Sequence, residues 1–263
     1  MPEIDSYVPG TFCWVELATH DSRDAKRFYT DLFGWAAQDN PIGGDMFYTM
    51  LRLRGRDVGA LYQMESKEQS AGVPPHWNSY VSVASADESE ARARELGGEV
   101  VKPAFDVMDA GRMAVIKDPT GAAFCLWQPN RNHGATLVTE PGAFCWNELA
   151  TPDMQAAGDF YTGLFGWDSM VQEMGSTRYT TFSNQGRPAG GMYEPGAEDA
   201  GMPPAWTVYF AVADCDASTS RAQELGAAVI VPPADIPGVG RFAILADPQG
   251  AVFAIIKLAN PPA

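Results

Sequence analysis

The amino-acid sequence predicts an α+β protein made of four strand–helix–strand modules grouped into two homologous domains. Three observations carry this. The chain is written twice: residues 10–35 (GTFCWVELATHDSRDAKRFYTDLFGW) reappear as residues 142–167 (GAFCWNELATPDMQAAGDFYTGLFGW), and repetition at a long fixed period marks duplicated units. The stretch starting at Pro74 (PPHWNSYVSVASADESEARARELGGEVVKP) returns at Pro203 (PPAWTVYFAVADCDASTSRAQELGAAVIVP), and DPTGAAFCLW at Asp118 returns as DPQGAVFAII at Asp247. Within each copy, apolar residues switch between a period of two and a period of 3.6. Domains are expected at 1–129 and 142–263, joined by a polar, Gly- and Pro-containing linker over 130–141.

Each element has a local reason. Phe12–Leu17 alternates as a strand, with Cys13, Val15 and Leu17 on one face and Phe12, Trp14 and Glu16 on the other. Asp21 or Ser22 caps a helix whose apolar stripe is Ala25, Phe28, Tyr29 and Leu32, and Gly34 ends it. Strand-like runs follow around Met46–Leu53 and Val58–Gln63, joined by the turn-prone Arg54-Gly55-Arg56-Asp57. After the Pro-rich break at Val73–Pro75 the pattern restarts: a strand over Trp77–Ala84, a helix near Asp87–Leu96, and short strands at Glu99–Val101, Arg112–Lys117 and Ala122–Gln128. The Asp-Pro-Thr-Gly and Asp-Pro-Gln-Gly segments read as tight turns, because Pro suits the second turn position and Gly the fourth.

Composition removes whole classes of function. The 263 residues are 46% apolar and 11% aromatic, enough for a buried core and too apolar for a disordered chain. No run of about 18 apolar residues occurs, so no membrane span is expected. A net charge of −15, from 18 basic and 33 acidic residues, argues against nucleic acid as a partner. Much of the acidic surplus (Asp87, Glu88, Glu90, Glu198, Asp199) falls on expected helix faces and loops. The start, Met-Pro-Glu-Ile-Asp-Ser, lacks a cationic leader and an apolar core, which points to a cytoplasmic protein. Cys13, Cys125, Cys145 and Cys215 lack C-x-x-C spacing and read as reduced, buried thiols. Neither P-loop nor dinucleotide fingerprint is found; Gly43-Gly44 and Gly190-Gly191 lack the strand–helix setting.

The strand followed by a helix ending in F-Y-x-x-L-F-G-W, together with the D-P-x-G turn before a final strand, resembles the vicinal oxygen chelate superfamily, which includes glyoxalase I, bleomycin-resistance proteins and extradiol dioxygenases. The likeness covers almost the whole chain. It implies βαβββ modules, paired so that the sheet of each domain curls into a cup. It also implies a tandem arrangement like that of proteins labelled glyoxalase, hydroxylase or antibiotic-resistance protein, some of them accessory to aromatic-polyketide pathways.

Catalytic members of that superfamily hold a divalent metal with His, Gln or Glu. Carried onto this chain, the first-strand ligand positions fall on Trp14 and Trp146, those of the second modules on Tyr80 and Tyr209, and those of the last strands on Cys125 and Ala254. The remaining position lies near Leu61–Gln63 and Met192–Glu194, so that Gln63 or Glu194 is at best one ligand. His20, His76 and His133 are the only histidines, and a 2-His-1-carboxylate site is hard to build from them. No metal or other cofactor is therefore expected.

Strand alternation turns Trp14, Glu16, Tyr80, Ser82, Cys125 and Trp127 into the first cup, and Trp146, Glu148, Tyr209, Ala254 and Ile256 into the second. Tyr48 and Tyr179 join Trp14, Tyr80, Cys125, Trp127, Trp146 and Tyr209 as expected ligand contacts. Val81 and Val83 are expected to pack under the helix with Cys13, Val15 and Leu17; Trp35, Trp77, Trp167 and Trp206 read as packing residues. Glu16 and Glu148, each two residues after a Trp, are expected to be buried and raised in pKa. Each would serve as an anchor or general base, or would simply pair with an arginine such as Arg112 or Arg241. The expected function is metal-independent binding or sequestration of a small hydrophobic, aromatic or polyketide-like molecule by a monomer or homodimer. The alternative is an enzyme (glyoxalase-type lyase, isomerase, dioxygenase or hydroxylase) using a non-standard metal site or Glu16 and Glu148. A further possibility is that only one of the two cups binds.

Overall fold

The computed structural model describes residues 4–174, 177–196 and 202–260; Met1, Pro2 and Glu3, and the acidic Glu198 and Asp199, lie outside these. The first half runs β1 (Phe12–Thr19), α1 (Ser22–Phe33), β2 (Ala36–Gly43), β3 (Met46–Leu53), β4 (Arg56–Gln63), a short α2 (Ser66–Ser70), β5 (His76–Ser82), α3 (Ala86–Glu95), β6 (Glu99–Val107), β7 (Gly111–Lys117) and β8 (Ala123–Pro129). The second half repeats it as β9 (Phe144–Ala150), α4 (Met154–Phe165), β10 (Asp168–Met174), β11 (Thr177–Asn184), β12 (Arg187–Tyr193), β13 (Ala205–Ala211), α5 (Cys215–Glu224), β14 (Ala228–Ile236), β15 (Gly240–Ala246) and β16 (Val252–Leu258).

Each half forms one eight-stranded mixed sheet, ordered β2-β3-β4-β1-β5-β8-β7-β6 and β10-β11-β12-β9-β13-β16-β15-β14. The two modules of a half meet through antiparallel pairing of their first strands, β1 with β5 and β9 with β13. Within a module the first strand pairs in parallel with the last, as β1 does with β4 and β5 with β8. This is an α+β fold of two sheets, each containing two βαβββ modules.

Local chemistry explains the helix ends. Asp21 accepts from the backbone of Arg23 and Asp24, and Asp153 from that of Gln155 and Ala156, which satisfies donors with no partner inside the helix. Gly34 and Gly166 close the same helices in the left-handed conformation, at φ 70° and 69°, where a side chain would be strained.

The core lies between the sheets. The apolar stripe of α1 reaches the opposite sheet: the ring of Phe28 is 6.2 Å from Phe253 and that of Phe33 is 5.1 Å from Phe210. In the mirror arrangement, Phe160 and Tyr161 of α4 lie 6.1 and 5.5 Å from Phe124. Val81 and Val83 consequently join a cluster with Phe160 and Tyr161 of α4, not the one containing Cys13, Val15 and Leu17. Phe12 is a second correction. A bulge between Phe12 and Trp14 shifts the register, and Phe12 leaves the face of Trp14 to meet Trp167 and Trp206 at 5.9 and 5.0 Å.

Buried polar ties cross the same interface. Trp77 donates to the Tyr29 hydroxyl (3.0 Å), which donates to Asp247 (3.1 Å) in the turn before β16. Trp206, Tyr161 and Asp118 repeat the chain at 2.7 and 3.0 Å. Each aspartate also accepts from the backbone of its own turn, Asp118 from Thr120, Gly121 and Ala122, and Asp247 from Gln249 and Ala251. Trp35 donates to the carbonyl of Gly142, and Trp167 to that of Gly10. All four packing tryptophans thus work at the junction of the sheets. The segment expected as a linker is held as well: Ala135 and Leu137 are buried, and the backbone of residues 135–137 bonds to Cys13 and Asp57.

One contact breaks the symmetry. Ser79 donates to Asn147 across the interface at 2.7 Å, and both are buried; their repeat equivalents are Val208 and Val15, both wholly buried. Replacing Asn147 by Val leaves the Ser79 hydroxyl without its partner and is expected to cost about 1–3 kcal/mol. The double variant Ser79→Val/Asn147→Val, which reproduces the apolar pair, is expected to recover most of that loss in urea unfolding. Additive losses would show that the hydrogen bond has no special role.

Candidate functional site

The face of each sheet turned away from the other is where the sequence placed the cups. On the first sheet the register sets Trp14 opposite Tyr80, Tyr80 beside Cys125, and Glu16 beside Ala60 and opposite Asn78. On the second it sets Trp146 opposite Tyr209, Tyr209 beside Ala254, and Glu148 beside Gly191 and opposite Thr207. Paired residues project to the same side of a sheet, so each row of side chains shares a face.

At the centre of the first cup is Glu16. Its Oε1 accepts from the Tyr80 hydroxyl at 2.6 Å and its Oε2 from Tyr48 at 2.7 Å, while the Trp14 indole donates to the Tyr48 oxygen at 3.1 Å. Burial raises the carboxyl pKa above its ordinary value, and the two tyrosine bonds oppose the rise. The Tyr48 and Tyr80 hydroxyls are held well above the ordinary range, first by burial and then by the Glu16 charge. Trp127 stands edge-on to Tyr80, ring centroids 6.2 Å apart, and donates to the Asn132 carbonyl at 2.9 Å. Ser82 pairs with Trp127 and is buried.

The second cup repeats the motif with variations. Glu148 accepts from Tyr209 at 2.6 Å and also bonds to Tyr179, whose oxygen accepts from Trp146 at 3.1 Å. Burial again raises the carboxyl pKa, opposed by both tyrosines. Ala254 and Ile256 pack with Tyr209. The structure therefore gathers Trp14, Glu16, Tyr48, Tyr80, Cys125 and Trp127 into one cluster, and Trp146, Glu148, Tyr179 and Tyr209 into another.

Three expectations change. Arg112 and Arg241 are not the partners of the two glutamates: Arg112 bonds to Asp87 and Asp106, and Arg241 to Asp216 and Asp235. Gln63 does not face the cup. Ala60 pairs with Glu16, so alternation sends Tyr62 to the cup and Gln63 to the other side, where it accepts from Ser22 at 3.3 Å. Likewise Tyr193 is the cup residue of β12, pairing with Tyr179, and Glu194 follows the end of the strand. Tyr62 and Tyr193 are cup residues that sequence reading missed; burial and then the charge of Glu16 raise the pKa of Tyr62, and it bonds to Asn78. Counting forward by two from Ala60, the partner of Glu16, reaches Tyr62.

Comparison with known proteins agrees with this architecture. Residues 14–127 match the model of the glyoxalase-like domain, and residues 133–255 match that of the Glyoxalase/Bleomycin resistance protein/Dioxygenase superfamily. A putative glyoxylase, CFP32, of Mycobacterium tuberculosis is 46% identical over 259 residues, covering 98% of either chain. The chain belongs to the glyoxalase/bleomycin resistance/dioxygenase superfamily. Within it, the anthracycline biosynthesis protein DnrV of Streptomyces peucetius is 37% identical over 275 residues, covering 96% of this chain and 94% of that one. Among solved structures, the Mn(II)-bound glyoxalase of Novosphingobium aromaticivorans shares the fold with a TM-score of 0.67 at 16% identity, over 96% of this chain and 83% of that one.

The metal that catalytic members of the superfamily carry does not fit the side chains at these positions. The indole nitrogens of Trp14 and Trp146 offer no lone pair to a cation. Tyr80 and Tyr209 are held in the neutral phenol form, and burial pushes the Cys125 thiol up, away from the thiolate a metal needs. Ala254 has no donor. His20 and His76 bond to the carbonyls of Val73 and Pro74, and among the described residues no three His, Cys, Asp or Glu gather in a metal-holding group.

A pH dependence follows from the buried carboxyl. A carboxyl whose folded pKa lies above its unfolded value stabilises the fold fully below the unfolded value, and that contribution is lost as pH rises through the folded one. For Glu16 the loss begins near the ordinary 4.5. The stability of the wild type relative to Glu16→Gln is therefore expected to fall as pH is raised from below 4.5 toward neutrality, read from urea midpoints at a series of pH values. Parallel curves for the two proteins would show that Glu16 is not perturbed.

Proposed function

We propose that the protein binds a planar aromatic or polyketide-like small molecule without a metal, sequestering it or handing it on in antibiotic resistance or secondary metabolism. The observation that carries this reading is the replacement of metal-ligand positions by aromatic surface around a tyrosine-bonded glutamate. Rings supply stacking area, and one polar group at the floor fixes orientation, which is the division of labour in small-molecule sites. The name of DnrV, which places that protein in anthracycline biosynthesis, supports a polycyclic aromatic ligand. We place the activity in the cytoplasm, in a monomer or homodimer of units 1–129 and 142–263, with Trp14, Tyr48, Tyr80, Cys125, Trp127, Trp146, Tyr179 and Tyr209 as the contact set.

One observation favours a second reading. A buried carboxyl raised in pKa and held by phenols is suited to proton transfer, so Glu16 or Glu148 would act as the general base of an isomerase- or lyase-type step. The two readings separate by experiment. Under the binding reading, hydroxylated anthraquinones quench tryptophan fluorescence saturably, the affinity survives EDTA, and replacing a stacking tryptophan by Ala weakens it by about tenfold, or about 1.4 kcal/mol. Turnover of such a compound that persists with EDTA and disappears in Glu148→Gln would establish the proton-transfer reading instead. A stoichiometric metal in the purified protein, with no binding of the aromatic panel, would refute both.

A further inference from the structure

The two cups share a skeleton but are filled differently. In the first, Trp14, Glu16, Cys125 and Trp127 are 5%, 8%, 2% and 7% exposed, so the cup is closed by its own side chains. In the second, Trp146 and Glu148 are partly exposed where Trp14 and Glu16 are buried, while Tyr48 and Tyr179 are partly exposed in both. Repeat alignment shows the cause. Along the cup face, Trp127 becomes Ile256, Cys125 becomes Ala254, Met50 becomes Thr181 and Ala60 becomes Gly191, each a smaller side chain, while Met113 and Val115 become the larger Phe242 and Ile244. The Phe242 ring lies 6.5 Å from Tyr209, tilted by 31°.

Gly191 has a particular geometric role. A Cβ built on it would lie 1.9 Å from the Tyr179 hydroxyl oxygen and 2.5 Å from the adjoining ring carbon. Tyr179 therefore occupies the space that the Ala60 side chain fills in the first cup, folded down against β12. The missing methyl group lets the tyrosine lie low, and the missing indole at residue 256 leaves the neighbouring wall short.

Hydrogen-bond accounting then narrows the ligand. Trp146 donates to Tyr179, and Tyr179 and Tyr209 both donate to Glu148. With the Tyr179 and Tyr209 protons committed to it, the carboxylate keeps about two of its roughly four acceptor sites. A ligand that completes this floor has to donate. From this geometry we infer that the second cup alone is the binding site, that Gly191 and Ile256 set its size, and that its ligand is a flat aromatic carrying a phenolic or enolic hydroxyl that donates to Glu148. This rests on the binding reading above and narrows its contact set to Trp146, Tyr179 and Tyr209, leaving Trp14, Tyr48, Tyr80, Cys125 and Trp127 outside the site.

The test is titration of the full-length protein with 2,6-dihydroxyanthraquinone, whose hydroxyls lie too far from the ring carbonyls to bond to them, and with unsubstituted anthraquinone. One dihydroxy compound is expected to bind per chain, at least tenfold more tightly than the unsubstituted one. Ile256→Trp and Gly191→Ala are each expected to weaken binding tenfold or more, with circular dichroism confirming the fold. Glu148→Gln, which preserves shape, is expected to abolish the preference between the two compounds while leaving the weaker one's affinity within about twofold. Trp127→Ile, which opens the first cup, is expected to raise the stoichiometry from one to two. Two sites in the wild type, or wild-type affinity in the folded Ile256→Trp and Gly191→Ala variants, would overturn the assignment while leaving the binding reading standing. An unaltered preference in Glu148→Gln would overturn the donor requirement. Failure of the wild type to bind either compound would refute the binding reading itself.

Discussion

The architecture turns on two buried hydrogen bonds that cross between the sheets, Tyr29 to Asp247 and Tyr161 to Asp118. Each joins a helix of one half to a turn of the other. Each aspartate is almost wholly buried, and a buried carboxylate is tolerated only when its lone pairs are satisfied. The turn backbone supplies partners to one oxygen and the tyrosine of the opposite half supplies one to the other. Removing the tyrosine would leave both an unpaired carboxylate oxygen and an indole, Trp77 or Trp206, without its acceptor. The helices α1 and α4 are thereby committed to the junction, and with them the inner faces of both sheets. What is left to curl outward is the opposite face of each sheet, and this is where the glutamates lie.

The glutamates pose the same physical problem and solve it differently. Asp118 and Asp247 are satisfied mainly by backbone N–H groups of a tight turn, which are fixed by the chain. Glu16 and Glu148 lie mid-strand, where backbone donors are committed to the ladder, so their partners have to come from side chains. Phenols from β3 and β5 meet that need for Glu16, and phenols from β11 and β13 for Glu148. A network held by side chains can be rearranged or extended by an arriving molecule, whereas a turn held by its own backbone cannot. This difference separates the carboxylates that organise the fold from those available for function.

How much of this could be read in the sequence depends on whether the cause was local. The Asp21 and Asp153 caps and the closing Gly34 and Gly166 act within one helical turn, and the repeat revealed both copies. Strand alternation placed Trp14, Glu16, Tyr80, Cys125 and Trp127 on one face because the ladder there is regular. It failed at Phe12, where a bulge shifts the parity, and at Gln63, where the expected ligand position was one residue out of register. The strand β2 was invisible for another reason: Ala36–Gly43 is an almost wholly exposed edge containing Pro41, with no apolar period to detect. Val81 and Val83 were assigned to the wrong helix because α4 arrives from the other half of the chain. Nothing near Val81 in sequence encodes that meeting.

Duplication also fixes where the two halves are free to differ. The cross-sheet ties need each half to present a tyrosine to the other and to receive one in its turn, so Tyr29, Tyr161, Asp118 and Asp247 are constrained as a set. At the interface itself only a matched exchange is tolerated, as in the Ser79–Asn147 pair standing where the other half has Val208 and Val15. The outward faces carry no such reciprocal demand. A change from Ala60 to Gly191 alters one cup without disturbing the junction, because the space beside Gly191 is taken by Tyr179 of the same sheet. A tandem fold of this kind can keep one closed half as a brace for the helices of the other, while the second half opens a polar floor to an incoming molecule. The difference between the halves then lies in side-chain volume on a shared backbone, and the glutamate with its phenols is retained in both because a strand carboxylate left without them would be untenable.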